Sequence, residues 1–253
     1  MTLRNAITSL IAATMFSAHA AEKPVHLFIL TGQSNMAGMK PELGFVPETS
    51  LLFPDAEVSF IKVAQGGRPI RDWVAEWDEI AKKSGVDAAA TRAKDKAKGT
   101  PYYDQILAKM KPLLAKNPQP TSITFCWMQG ENDARFKLDA AYADALKQLI
   151  ANLRRDLKCP DMKVVIGRIS DYGKPDDAPW QAIRKAHVGI SETDKNAAWV
   201  DCDDLNDKKK GNQSINDLHY TPEGYKLLGQ RYARQAKALI TGKAPAKDGR
   251  PTE

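Results

Sequence analysis

His26-Leu27-Phe28-Ile29-Leu30 runs straight into Thr31-Gly32-Gln33-Ser34-Asn35-Met36-Ala37-Gly38, and the fold turns on how this junction is read. A short, almost wholly apolar run that ends at glycine is the signature of a strand covered on both faces, as in parallel sheets flanked by helices. A serine at the following strand-to-helix turn stands beside helix N–H groups and the positive end of the helix dipole, which favour a developing anion. The same serine serves equally well as an ordinary helix N-cap. Met36 takes the place of the second glycine of a Gly-x-Ser-x-Gly nucleophile elbow, which argues against the α/β-hydrolase class.

Outward from this junction the pattern repeats. Further strands are predicted over 57–64, 122–128, 163–169 and 197–200, and helices over 101–116, 139–157, 179–193 and 221–240. Pro112 is expected to bend the first of these helices, and Thr221-Pro222 supplies an N-cap and first helical residue for the last. Strands alternating with helices predict an α/β fold with a five-stranded parallel sheet. In such sheets ligands bind beyond the carboxyl ends of the strands. Three of those ends are chemically rich: Ser34 after the first strand, Gly66-Gly67-Arg68 after the second, and Gln129-Gly130-Glu131-Asn132-Asp133 after the third. Asn216-Asp217-Leu218-His219 precedes the last helix. A histidine there is able to take the Ser34 proton, and a carboxylate on its other nitrogen would fix the tautomer.

The chain has 253 residues, 43% hydrophobic and 27% charged, which excludes a disordered, collagen-like or disulfide-dense protein. One domain over 21–240 is expected, with no internal repeat, a charged insertion over 78–99 and a polar tail over 241–253 that frays. The net charge of +6 is diffuse, and its densest run, Lys208-Lys209-Lys210, reads as a solvated turn rather than a nucleic-acid patch. Arg4, the apolar run 6–17 and Ala18-His19-Ala20 read as a signal peptide cut near Ala20, so a secreted or periplasmic chain without membrane anchoring is expected. Cys126 is expected to be a buried hydrophobe, and Cys159 and Cys202 to lie at opposite ends of the sheet, too far apart to bridge. No cysteine or histidine spacing resembles a zinc site, and nothing calls for a metal or organic cofactor.

Taken together, Gly32-Gln33-Ser34-Asn35-Met36-Ala37-Gly38, Gly66-Gly67, Trp127-x-Gln129-Gly130-Glu131 and Asp217-x-His219 resemble the SGNH-hydrolase superfamily. Within it they are similar to the branch of sialate O-acetylesterases and carbohydrate esterase family 6, in order over nearly the whole mature chain. The resemblance implies a flavodoxin-like three-layer sandwich and a serine esterase that removes acetyl groups from a carbohydrate without a cofactor. Ser34 would be the nucleophile and His219 the base. The Ser34 and Gly67 N–H groups and the Gln129 amide would hold the oxyanion. Many relatives carry the triad acid three residues before the histidine, where this chain has Asn216. Asp217, two residues before, is favoured as the acid, with Glu131 as the alternative. Gln33, Asn35 and Arg68 are expected at the substrate, and Trp73, Trp77 and Tyr172 are candidates for the walls of a sugar cleft, although Trp73 and Trp77 fit one buried helix face as well. A lipid or thioester acyl esterase and a non-catalytic carbohydrate-binding protein are the two competing functions.

Overall fold

A computed structural model describes residues 23–88, 99–210 and 212–250. The proposed signal peptide, much of the charged insertion and the last three residues fall outside these. The described chain runs β1 (Val25–Gly32), α1 (Ser34–Gly38), α2 (Phe45–Leu52), β2 (Glu57–Ala64), α3 (Trp77–Lys83), α4 (Pro101–Lys116), β3 (Ser122–Met128), α5 (Glu131–Arg135) and α6 (Asp139–Asp156). It continues with β4 (Lys163–Gly167), α7 (Ala178–Thr193), β5 (Ala197–Val200), β6 (Asp207–Lys210), β7 (Gln213–Asn216) and α8 (Pro222–Ile240). Two 3₁₀ turns, Pro41–Leu43 and Ile70–Asp72, complete it.

β1 to β5 form one sheet in the order β2-β1-β3-β4-β5, and every pairing is parallel. This is the flavodoxin-like doubly wound order, with β1 inside the sheet between β2 and β3 and its run 26–32 buried throughout. The period of two sends alternate residues to opposite layers. Phe28 packs edge-on against Phe45 of α2 at 5.1 Å, whereas Thr31 Oγ1 accepts the Trp73 indole N–H at 3.1 Å on the other face. Similarly, the Trp127 indole donates to the Tyr142 hydroxyl of α6 at 3.1 Å, while Tyr232 of α8 reaches the Trp127 carbonyl at 2.7 Å. Helices are thus held on both faces by named polar contacts as well as by apolar burial.

Several expectations need correction. The helix with Pro112 inside it has the expected bounds, Pro101–Lys116, and is not among them. Lys208-Lys209-Lys210 is not a turn but lies in β6 of an antiparallel β6–β7 hairpin, with Lys208 opposite Ile215. Its lysines carry no apolar alternation, because both faces of the ribbon meet solvent. The tail does not fray over its described length: Arg250 pairs with Asp201 at 2.7 Å, the Asp201 N–H donates to the Asp248 carbonyl at 2.6 Å, and Gln235 Nε2 donates to the Ala246 carbonyl at 2.7 Å. Trp73 and Trp77 are fully buried, Trp73 stacking on Tyr102 at 4.7 Å, so neither walls a cleft. All three cysteines are free, and Cys126 is buried as expected. Among the described residues no helix is long and apolar enough to cross a membrane.

Candidate active site

In a doubly wound sheet the crevice opens where the strand order reverses, because connections leave adjacent strands in opposite directions there. Here that point lies between β1 and β3. Ser34 leaves the end of β1, Glu131 leaves the end of β3, and both line a cavity of about 800 Å³ together with Gln33, Gly67, Asn132 and His219. The two strand ends are locked in register by the Gln33 N–H, which donates to the Met128 carbonyl at 2.8 Å.

Ser34 is the first residue of α1, and Gln33 occupies the N-cap position without a side-chain cap. The serine hydroxyl is therefore not spent on capping, and it stands at the turn where helix N–H groups lack carbonyl partners. Gly66 and Gly67 come alongside from the end of β2. A Cβ on Gly66 would lie 3.7 Å from that of Ser34, and Gly67 adopts φ +68°, a left-handed conformation that favours glycine.

His219 is brought in by Asn35. The Asn35 amide donates to the Leu218 carbonyl at 3.1 Å and to Glu131 Oε1 at 2.8 Å, while its oxygen accepts the Tyr220 N–H at 3.4 Å and the Tyr225 hydroxyl at 3.2 Å. Asn35 thus grips the residues on either side of His219. It is 1% exposed and its amide is fully engaged, which corrects its expected place at the substrate. Among the described residues no hydrogen bond joins the Ser34 hydroxyl to the His219 ring. Unliganded catalytic pairs are commonly long and tighten with substrate.

The two candidate acids differ sharply. Asp217 is half-buried, with Oδ1 accepting the His219 backbone N–H at 3.0 Å and Oδ2 accepting Lys208 Nζ at 3.0 Å. These two donors hold its carboxyl below the usual range. It meets the backbone of His219 rather than the imidazole. Glu131 is 5% exposed, uses Oε1 on Asn35, and leaves Oε2 without a partner. Burial pushes its carboxyl up.

Gln129, expected as an oxyanion donor, is fully buried, and its Nε2 donates to the Arg68 carbonyl at 3.0 Å, to Gln33 Oε1 at 3.3 Å and to Asp133 Oδ2. Its N–H₂ is consumed behind the cavity wall, and its Oε1 is buried without a partner. Asn132, which the sequence reading passed over, lies on the wall itself, one Nδ2 proton bonded to the Gly67 carbonyl at 2.8 Å. An amide has two such protons, so the second is free to meet a ligand. The signal was its position: a polar amide one residue beyond Glu131, in a cluster directly after a buried strand. Gln33 stays at the cavity, but its Oε1 already accepts the Asn132 N–H at 3.1 Å. Arg68 is not among the lining residues; its guanidinium sits 5.9 Å over Tyr102 and 3.7 Å from Asp72. Tyr172 does line the cavity, 37% exposed and tilted against Trp180 at 5.7 Å.

Residues 38–238 match the family described as "Carbohydrate esterase, sialic acid-specific acetylesterase". Over 81 residues the chain is 33% identical to the "Probable 9-O-acetyl-N-acetylneuraminic acid deacetylase" of Escherichia coli (strain K12), an alignment that spans 32% of this chain and 22% of that protein. It is 24% identical over 217 residues to the "Probable carbohydrate esterase At4g34215" of Arabidopsis thaliana, covering 85% of this chain and 68% of that one. The X-ray structure of the Arabidopsis protein AT4G34215 superposes with a TM-score of 0.60 at 19% identity, over 87% of this chain and the whole of that one, a likeness of fold.

Proposed function

The chain belongs to the carbohydrate esterase family of sialic acid-specific acetylesterases, and from that premise we propose that it hydrolyses O-acetyl esters of a carbohydrate through an acetyl-enzyme on Ser34. The observation that carries this reading is the meeting, on one cavity at the sheet's switch point, of an uncapped serine, a histidine and a buried carboxylate with one unpaired oxygen.

In this reading the Ser34 hydroxyl attacks the acetyl carbonyl as His219 takes its proton. His219 then returns that proton to the departing sugar oxygen. A water, deprotonated by the same ring, releases acetate and restores Ser34. The tetrahedral oxyanion is held by the Ser34 and Gly67 N–H groups, and the second Asn132 Nδ2 proton supplies the side-chain donor first sought at Gln129. Glu131 is the better acid of the two. Its open Oε2 is desolvated, and a nearby imidazolium would compensate its buried charge, whereas both Asp217 oxygens are already occupied. Tyr172 and Trp180 offer an apolar platform on which a sugar ring can lie. Export after cleavage near Ala20 belongs to the same proposal.

The test is acetate release from acetylated xylan and from O-acetylated sialic acid, by the wild-type chain and by Ser34→Ala. Release by wild type, abolished in the variant, supports the serine esterase, and the preferred glycan narrows the substrate. No release from a folded wild-type chain on either substrate rejects this reading in favour of a longer-acyl or binding function.

A further inference from the structure

The loop after β2 has no side chain of its own at its tip. Gly66 and Gly67 form it, and nothing lies within 4 Å of where a Gly67 Cβ would be. Its placement beside Ser34 is imposed from outside, by three side chains of the β3-end block. Asn132 Nδ2 donates to the Gly67 carbonyl at 2.8 Å, and Gln129 Nε2 donates to the Arg68 carbonyl at 3.0 Å. Asp133 accepts the Ile70 N–H, at 3.0 Å on Oδ2 and 3.3 Å on Oδ1. Gln129 Nε2 also donates to Asp133 Oδ2, which joins the second and third contacts into one unit. Asp133 is completely buried, so no water competes for these bonds.

We infer that Asp133, acting with Gln129, is a positioning residue: a buried strut that fixes the Gly67 N–H against Ser34 before substrate arrives. The inference rests on the esterase reading and deepens it. Asp133 touches no reacting atom. Its effect runs through the Arg68–Ile70 backbone to the donor at Gly67, one to three residues earlier, where a displacement of about 1 Å costs on the order of a hundredfold in rate. An isosteric amide shows why a carboxylate is needed. Asparagine keeps both contacts only with its oxygen in the Oδ2 place, and it then sets an N–H₂ against the Ile70 N–H where Oδ1 now accepts; the opposite orientation loses the Gln129 contact.

The experiment uses Asp133→Asn and Gln129→Met, singly and combined, in the full chain. Three quantities are measured: kcat and KM on 4-nitrophenyl acetate, the rate at which an alkylphosphonate ester modifies Ser34, and thermal unfolding. Asp133→Asn is expected to lower kcat by about 10- to 100-fold while KM stays within about twofold, with phosphonylation slowed by the same factor. The double variant is expected to lose no more than the worse single one, since both cut one strut. Should Asp133→Asn unfold, Gln129→Met carries the same expectation by itself. The strut is overturned by a kcat within about threefold of wild type, by losses that multiply in the double variant, or by losses that only track the unfolded fraction. Wild-type turnover is the internal control: its absence overturns the esterase reading and the strut together, whereas turnover kept by Asp133→Asn overturns the strut alone.

Discussion

Glu131 and Asp217 each stand next to a catalytic candidate, yet their surroundings push them in opposite directions. Glu131 follows the fully buried strand β3 and is enclosed by α1 and the His219 loop, so desolvation raises its carboxyl and one oxygen stays unpaired. Asp217 follows a short, solvent-exposed hairpin, where a backbone N–H and Lys208 lower its carboxyl. The difference teaches that closeness in sequence to the histidine does not by itself give a carboxylate the surroundings the proposed acid needs. What counts is which carboxylate retains an unspent oxygen in a dry environment, because only such a group gains much from meeting an imidazolium.

The sharpest way to break this comparison is to neutralise each carboxylate in turn. Glu131→Gln is expected to lower kcat by on the order of a thousandfold with the fold kept, as measured by acetate release alongside thermal unfolding. Asp217→Asn is expected to stay within about tenfold, losing a cap on the His219 backbone rather than a partner of its ring; a loss as large as that of Glu131→Gln would reverse the assignment. Between these lies Asn132→Ala, expected to cost about a hundredfold in kcat with KM little changed, which single-turnover acylation would locate in the chemical step. If Gln129→Ala alone reproduces that loss while Asn132→Ala is silent, the side-chain donor is Gln129 after all. The smallest effect is on stability. Burial pushes Asp133 up to about 7 from 3.8. The folded chain therefore binds this proton more tightly than the unfolded one between those values, and the contribution of Asp133 to stability falls as pH rises from about 4 to 7. Asp133→Asn removes that dependence. The stability gap between variant and wild type is expected to shift in the variant's favour as pH rises over this range. A pH-independent difference in thermal midpoint would contradict the desolvated site.

Much of this was legible in the residues. Apolar runs at 26–30 and 122–128 named two buried strands, since a parallel strand covered on both faces is mostly apolar, Val58, Phe60, Ile61 and Val63 marked the partly buried edge strand β2, and helical spacing of Tyr142, Leu146, Leu149 and Leu153 named α6. Thr221 caps α8 through the Gly224 N–H at 2.9 Å, as Thr-Pro promised. The β6–β7 hairpin was hidden because its lysines lack the alternation that one-sided burial imposes. The roles of Asn35 and Gln129 were hidden for a different reason. Both belong to polar blocks at strand ends, and the same amide serves a ligand or a neighbouring loop with equal ease.

By itself the sequence determined the five strands of the parallel sheet, the four longest helices and the set of polar strand ends, because burial and periodicity are local properties of the chain. Only the tertiary structure decided how those polar residues divide their hydrogen bonds: Asn35 to hold the His219 loop, Gln129 and Asp133 to hold the glycine loop, Asn132 on the cavity wall, and Glu131 Oε2 buried without a partner. A hydrogen-bonding group is committed by whatever lies within about 3 Å of it, and that neighbour comes from a strand or loop far along the chain.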